Sequence, residues 1–552
     1  MDRLSRQGSF LHRMSRQDTF RVIKDQLLIK LPPPAPHDVM HDKKLALLAR
    51  RNLPLSYDLK ELKGQNISEM WLERLIEAAR ILQLTETEWY FIEDDDRGPF
   101  SPRNEIEALH ALELNVRGLL LTIAAEPESP LFTLHQLVQG RLNGLKSDTT
   151  LSSKNVNPTN LQLSNWAAEL GIKSMVYAAE FEGFGRGAAA STDLQTGDLV
   201  IEIPQDALIS EDVAIESDMG PAFRETPELT GETMVLLWSM RERHDEKSKF
   251  ALFFAALPAT FHTGLGFAIE GLKELDGTLV ADEIIQAREH IRTQYDSLFP
   301  ALSRKYPEIF PERYFTWEYF LWACQLWYSY GIKVKFPRGT IQTCLVPMAC
   351  LLNHSIYPHV THFSRINDSN NTLQLFAVRQ CKAGDQCFLS YGSLPNSELL
   401  TFYGFLVKDN PYDIIPIDLD LPNEDPKQAE LIEKYDVLSY HMVRGFHPLP
   451  TKLIAALRVA CMEEDEIATF QEDPRTVMIS ERNERDVYES LLATFDSLLE
   501  PLEEQEDDSP SEKSEETDSS DWDVLLAKQY KENQRRVLQS VKSLCISKLS
   551  SV

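Results

Sequence analysis

Apolar residues recur at helical spacing over residues 69–84, where Met70, Leu72, Leu75, Ile76, Ala79 and Leu82 fall on one stripe. Ser68 stands just before them, and its hydroxyl suits the unpaired amides of a helix start. A second helix is expected over residues 104–124, so the front of the chain reads as a small helical extension. Leu31-Pro32-Pro33-Pro34-Ala35-Pro36 reads as a stiff extended spacer. Residues 147–160 are rich in Ser, Thr, Asn, Lys and Pro, and a domain boundary is expected there. Beyond it the pattern changes to short strands separated by Gly-rich turns: Met175-Val176-Tyr177-Ala178, Ala188-Ala189-Ala190 and Leu199-Val200-Ile201-Glu202-Ile203-Pro204. Residues 232–331 are helical, with Trp238, Phe253, Phe254, Trp317, Trp322 and Trp327 as heavy core residues. Strands return over 345–389. The last part is helical, with an apolar periodic stretch over 453–462 and a final helix from 524 to about 549 expected to dock back on its own domain.

Composition narrows the function. The chain has 552 residues, 43% of them hydrophobic, enough for about two to four domains with real cores. Its net charge of -29 argues against a general nucleic-acid binder, which needs clustered Lys and Arg to neutralise phosphates. It favours protein partners, including basic ones. No apolar run is long enough to span a bilayer. The start, Met1-Asp2-Arg3-Leu4-Ser5, lacks the apolar core of a secretory signal. Its Arg and Ser content hints at a transit peptide, against which Asp2, Asp18 and Asp25 count. A cytoplasmic or nuclear protein is expected, with the chloroplast as the alternative, and a monomer without membrane attachment.

Arg3-Leu4-Ser5-Arg6-Gln7-Gly8-Ser9-Phe10 is echoed by Arg13-Met14-Ser15-Arg16-Gln17-Asp18-Thr19-Phe20. This repeat reads first as a disordered basic arm, and second as a target for a basic-directed kinase at Ser9 or Thr19. The acidic stretch at about 503–523 has little to bury and reads as a disordered loop. The 7 Cys are thinly spread, as in a reducing compartment. Cys344, Cys350, Cys381 and Cys387 fall near His354, His359 and His362, but not at the spacings of structural zinc, and no metal is expected. Cys381 and Cys387 flank the turn Lys382-Ala383-Gly384-Asp385 and are expected to face each other as small apolar residues.

Three motifs carry the candidate chemistry. Glu182-Gly183-Phe184-Gly185-Arg186-Gly187 follows a strand, where glycines let a backbone approach a ligand. It lacks the Gly-Lys-Ser/Thr ending of a P-loop. A strand follows where a dinucleotide fold needs a helix. Asn353-His354-Ser355 offers a histidine that can be a base, a ligand or a satisfied buried ring. Ser390-Tyr391-Gly392 places a phenol at a strand end, and Tyr403-Gly404-Phe405 follows. Methyl transfer explains the set better than hydrolysis. It needs a pocket for a sulfonium donor and alignment of a neutral acceptor nitrogen, with no metal and no covalent intermediate.

These motifs, in this order, resemble the SET-domain protein methyltransferases of the subclass holding Rubisco large-subunit methyltransferase and the actin-histidine methyltransferase. Phe250-Ala251-Leu252-Phe253-Phe254-Ala255-Ala256-Leu257-Pro258 and Phe261-His262-Thr263-Gly264-Leu265 resemble that subclass's helical insertion. The resemblance covers about residues 165–413 and, more weakly, the C-terminal helices. It implies an α+β architecture: an N-terminal arm and helical extension over 1–163, a SET-domain β fold with a knot-like crossing over 164–420, and a helical substrate-binding domain over 421–552. The helical insertion falls at about 216–335. It also implies S-adenosyl-L-methionine as cofactor and a lysine, ahead of a histidine, of a non-histone protein as acceptor. Carried over, Glu182, Gly183, Phe184 and Gly185 hold the cofactor's methionine part. Asn353 and His354 bind its amine and adenine. Tyr391 is the catalytic tyrosine and also contacts the cofactor, as does Phe405, and Tyr403 and Phe405 line the cofactor and acceptor channel. Two positions depart from the subclass. Tyr328-Ser329-Tyr330-Gly331 stands where relatives have an Arg for the cofactor carboxylate, leaving Lys333, Lys335 or Arg338 to compensate. Cys350 stands where they tend to have Asp. Losing a charge-assisted hydrogen bond costs about 1.5–3 kcal/mol, so weaker cofactor binding is expected. A SET-fold binding module without catalysis is therefore the second reading, and a metal-dependent hydrolase using the His and Cys residues a third.

Overall fold

Ser68 caps the first long helix as its hydroxyl predicts: it accepts from the Trp71 amide, and α1 runs over Glu69–Leu82. The computed structural model describes residues 28–59, 67–93, 95–123, 129–145, 158–337, 339–421, 425–503 and 521–552. The basic repeat, most of the polar stretch at 147–160 and nearly all of the acidic stretch lie outside the described residues. Two units divide the chain: one holds residues through Ala259 and Ser297–Ser393, the other Thr260–Asp296 and Leu394–Val552.

In the first unit, α1, α2 (Pro102–Ile123) and α3 (Pro130–Asn143) pack through Leu72, Leu75, Ile76, Leu109, Val116, Leu134 and Val138. Met70 does not join this core and is 76% exposed; it sits in the first turn, on the face turned to solvent. Helix α2 begins two residues before the expected start because Pro102, which fixes φ and needs no amide partner, is suited to a first turn. The Pro-rich segment is no free spacer: Leu31 is buried with the helical core and donates to the Leu55 carbonyl at 2.8 Å.

A buried ion pair ties α1 to α2. Arg80 grips Glu105 with both Nε and Nη2, the latter 2.8 Å from Oε1, and both side chains are nearly inaccessible. Removing one partner strands a buried charge, which costs about 3–5 kcal/mol. Arg80→Met should lower unfolding free energy by that amount in a denaturant titration; a loss below about 1 kcal/mol would show that the pair is solvated.

A ten-stranded sheet follows. Its strands are β1 (Lys173–Ser174), β2 (Val176–Phe181), β3 (Gly185–Ala190), β4 (Leu199–Pro204), β5 (Gly331–Lys335), β6 (Ile341–Leu345), β7 (Asn353–His354), β8 (Val360–Asn367), β9 (Thr372–Ala377) and β10 (Gln386–Leu389). The order is β1-β4-β9-β8-β10-β3-β2, with β5 joined to β8 and β6, and β7 joined to β10. Strand β10 is the hub. It pairs antiparallel with β3 (Cys387 opposite Ala188) and parallel with both β7 (Phe388 opposite Asn353) and β8 (Leu389 opposite Val360). Alanine at Ala188, Ala189 and Ala190, all buried, lets neighbouring elements close over β3. The Cys381 and Cys387 sulfurs lie 3.2 Å apart in this core, facing each other as expected.

Between β4 and β5 the chain is mostly helical. Trp238 on α4 (Gly231–Glu242) meets Phe250 and Phe254 at ring distances of 6.0 and 5.9 Å. On α5 (Trp317–Tyr330), the Trp327 indole donates to the Ser239 hydroxyl at 2.9 Å, the partner a buried indole requires. Trp317, at the start of α5, is only partly buried.

The second unit contains α6 (Asn396–Tyr403), an antiparallel pair of strands, β11 (Ile414–Asp418) and β12 (Tyr440–Arg444), and the helices α7 (Thr451–Ala460), α8 (Glu481–Glu503) and α9 (Trp522–Leu549). Helix α9 docks on α8, with Val537, Val541 and Cys545 against Leu491, Phe495 and Leu499 in one core. Asp523 also accepts from the Ala268 amide at 2.8 Å.

Candidate active site

The three sequence motifs of the first unit meet at β10. Phe181 and Gly185 face each other in register, so Glu182-Gly183-Phe184 is a tight hairpin turn between β2 and β3. Gly183 (φ 79°) and Gly185 (φ 65°) adopt left-handed backbone that side-chain-bearing residues avoid. A Cβ on either would meet nothing within 4 Å, so the hairpin presents an open backbone face. Glu182 is exposed, and Phe184 lays its ring against Phe388 on β10 at 5.4 Å.

Gly187 is glycine for a different reason. Its φ is ordinary, but a Cβ there would lie 2.7 Å from the Gln386 amide nitrogen, 2.9 Å from the Asn353 amide nitrogen and 3.0 Å from the Phe181 ring. The missing side chain is the space in which two carboxamides converge. Asn353 donates from Nδ2 to the Arg186 carbonyl at 3.2 Å, which ties β7 to the hairpin. Gln386 is 1% exposed, and both its amide atoms lack hydrogen-bond partners among the described residues.

Tyr391 follows β10 directly. Its backbone N–H donates to His354 Nδ1 at 3.0 Å, and its hydroxyl donates to the Leu352 carbonyl at 2.9 Å. The phenol is thus held against the residue that precedes Asn353. Because His354 Nδ1 accepts, its proton sits on Nε2. Burial lowers the His354 pKa to about 4, so the ring is neutral near pH 7 and too weak a base to hold a proton there. Of the three roles open to this histidine, the structure supports the satisfied buried ring.

His359 is held differently, by its backbone and by stacking, and its ring Nδ1 has no hydrogen-bond partner among the described residues. Its amide donates to the Phe388 carbonyl at 2.9 Å, its ring stacks on Phe388, and burial, assisted by Arg379, lowers its pKa to about 4. For both histidines the folded pKa lies below the ordinary 6.5, so between pH 6.5 and 4 the unfolded chain binds protons that the folded chain does not. Stability from this source is full above pH 6.5 and is lost as pH falls towards 4, by about 3 kcal/mol per ring. Thermal unfolding scans should show the midpoint dropping through that window, with a shallower drop in His359→Gln. Identical slopes would contradict the assignment.

Cys350 lies in the turn Ala349–Leu351 that leads into β7, and its thiol points at the Val346 carbonyl, 3.0 Å away. Burial pushes its pKa up to about 12. Tyr330 ends α5, and burial likewise raises its phenol. Lys333 and Lys335 lie on β5, half-buried; Arg338 lies outside the described residues. Tyr403 and Phe405 belong to the second unit, with rings 6.3 Å apart in an edge-on pair. Among the described residues, no three His, Cys, Asp or Glu side chains gather as a metal-holding group, and no helix is long and apolar enough to cross a membrane. Sequence reasoning passed over Arg186 and Gln386. The signal for Arg186 was its place inside the glycine motif; Gln386 had none.

This fold and this convergence of hairpin, asparagine and tyrosine define a SET-domain protein: residues 185–392 match the SET domain family, and residues 425–539 match the Rubisco LSMT substrate-binding family. The chain therefore carries a SET domain followed by a Rubisco LSMT substrate-binding domain. Among individual proteins, it is similar to SET domain-containing protein 4 of Mus musculus, with 24% identity over 353 residues, 59% of this chain and 77% of that protein. It is also similar to the actin-histidine N-methyltransferase of Canis lupus familiaris, 24% identical over 318 residues, 55% of this chain and 53% of that protein. The alignment thus spans about half the length of that relative. The fold matches the solved structure of Rubisco LSMT bound to AdoMet, with a TM-score of 0.53 and 22% identity, covering 72% of this chain and 93% of that one. The SET domain of LSMT bound to lysine and AdoHcy matches with a TM-score of 0.53 and 21% identity, over 72% of this chain and 94% of that one.

Proposed function

We propose that this chain is an S-adenosylmethionine-dependent protein N-methyltransferase, with a lysine, ahead of a histidine, of a non-histone protein as acceptor. The observation that carries this reading is the phenol of Tyr391, fixed by the Leu352 carbonyl beside Asn353, while Asn353 is fixed to the glycine hairpin. Solved relatives of the same fold bind AdoMet and lysine, and similar sequences are named as actin-histidine methyltransferases. Both support a nitrogen acceptor in a protein side chain. Lysine is placed ahead of histidine because a solved relative of the same fold is bound to lysine.

The residues present fit the cofactor. The open backbone face at Gly183 and Gly185 and the carboxamide of Asn353 are what an uncharged, hydrogen-bonding ligand frame needs. S-adenosylmethionine, when bound, supplies an electrophilic methyl group on a sulfonium. Glu182, Gly183, Phe184 and Gly185 are assigned to its amino-acid part, and Asn353 and His354 to its amine and adenine. For His354 the contribution is through the backbone of β7, since Nδ1 of its ring serves the Tyr391 amide. The Tyr391 hydroxyl donates its proton to the Leu352 carbonyl, and a phenol oxygen can also accept from an amine, which would orient the acceptor nitrogen. The roles given to Tyr403 and Phe405 rest on the resemblance alone.

The test is transfer of a labelled methyl group from S-adenosylmethionine to proteins of a cell lysate, followed by peptide mapping. Label on lysine side chains, abolished in Tyr391→Phe, is expected. Absence of transfer, or equal labelling by the variant, would overturn the reading.

A further inference from the structure

The helical extension α1–α3 lies outside both matched families, yet it is bonded to the stretch of chain that feeds β10. The contacts come from polar groups of α2 and α3. Asn143, the last residue of α3, accepts from the Gln380 amide at 3.0 Å. Arg117 on α2 donates to the Gly197 carbonyl at 3.2 Å. Gly197 in turn donates its amide to the carbonyl of Ala377, the last residue of β9, at 2.7 Å. Gly197 stands at φ 92°, and a Cβ there would meet the Arg117 guanidinium. Arg117 is itself aimed by Glu113, a fully buried carboxylate 3.5 Å from its Nε that also meets His135 of α3 at 3.2 Å.

Arg379 completes the junction from the side of the sheet. It is 3% exposed, and its guanidinium divides between two backbone carbonyls: that of Leu145, just beyond α3, at 3.1 Å, and that of Tyr357 at 3.0 Å. A buried charge that let go of either carbonyl would lose a charge-assisted bond without regaining water, so the clamp is stiff. The planar fork holds two fixed acceptors at once, which the single ammonium of a lysine does not reproduce. Tyr357 follows the Asn353-His354-Ser355 motif closely. Its amide donates to the Ser355 hydroxyl at 2.9 Å, and the Ser355 amide donates at 3.0 Å to the carbonyl of Leu389, the last residue of β10. A continuous line of hydrogen bonds thus runs from the extension to the strand end that carries Tyr391.

We propose that the N-terminal helical extension braces the candidate site, and that Arg379 is the positioning residue through which it acts. With Leu145 fixed by the extension, the guanidinium fixes Tyr357, and Tyr357 fixes the asparagine motif against the end of β10. The expected effect on methyl transfer rests on the functional reading above; the brace itself does not.

Amide hydrogen exchange of the full-length chain tests the brace without relying on activity. Two variants cut the line at different points: Arg379→Met, and the pair Arg117→Met with Asn143→Ala. In each, the amides of Ser355, Tyr357 and Tyr391 should exchange at least about tenfold faster than in wild type, while those of residues 235–240 in α4 keep their protection. The unchanged α4 amides separate local loosening from general unfolding. Combining all three substitutions should add little to the larger single effect, because one line is cut twice. Methyl transfer per folded molecule should fall about 10- to 100-fold in each variant, the scale of a small misplacement near reacting groups, and less in Arg379→Lys, which can still hold one carbonyl. Wild-type exchange at these amides in the Arg117 and Asn143 pair, or effects that multiply on combination, would show that Arg379 acts on Tyr357 alone and would overturn the brace. Loosened amides with full methyl transfer would overturn the positioning role. If wild type transfers no methyl group, the functional reading fails and the exchange rates still decide the brace.

Discussion

Tyr391→Phe should cut methyl transfer by about 100- to 1,000-fold, the usual effect of removing one oriented hydrogen-bonding group from a reacting centre, and leave S-adenosylmethionine affinity within about threefold. The reason lies in what the hydroxyl touches. Its proton goes to the Leu352 carbonyl at 2.9 Å, while the ring is placed by the Tyr391 amide on His354 Nδ1. Removing the oxygen leaves the amide bond and the ring in place, so the strand end keeps its shape. The loss falls on orientation of the acceptor nitrogen and therefore on turnover. A variant with both turnover and affinity reduced in proportion would place Tyr391 in the cofactor frame instead.

Gly187→Ala should cost about 1–3 kcal/mol in stability, the range for overpacking a closed core, and weaken S-adenosylmethionine binding at least tenfold. The added methyl would meet the Gln386 and Asn353 amides and the Phe181 ring, all at 3.0 Å or less. The two amides are ends of movable side chains, but Phe181 is held in a buried cluster with Ala179 and Ala189. Relief therefore comes by pushing Asn353 off the Arg186 carbonyl, which detaches β7 from the hairpin. Differential scanning calorimetry and a binding titration measure the two effects. Unchanged affinity with lowered stability would show that the position of Asn353 does not matter to the ligand.

Much of this architecture is written in local pattern. The Ser68 cap, the α1 stripe and the glycine turn after Phe181 each depend on residues within one element, and each stands where the sequence places it. Met70 and Leu31 show where that ends. Met70 is apolar and in phase but sits on an open turn, whereas Leu31 lies in a proline run yet is bonded to Leu55. What covers a residue is decided by partners far along the chain. The site follows the same division. Asn353, His354 and Tyr391 stand out as residue types, but the bond between His354 and Tyr391 spans 37 positions. Two glycines of the motif serve backbone conformation and the third serves space, a distinction absent from the letters.

Amide hydrogen exchange with and without S-adenosylhomocysteine tests most directly whether hairpin, asparagine strand and tyrosine share one ligand. The prediction is joint protection of residues 182–187, 353–355 and 390–392 on addition of the compound, with matching concentration dependence. Protection confined to one of these segments, or found elsewhere with none of them affected, would contradict it.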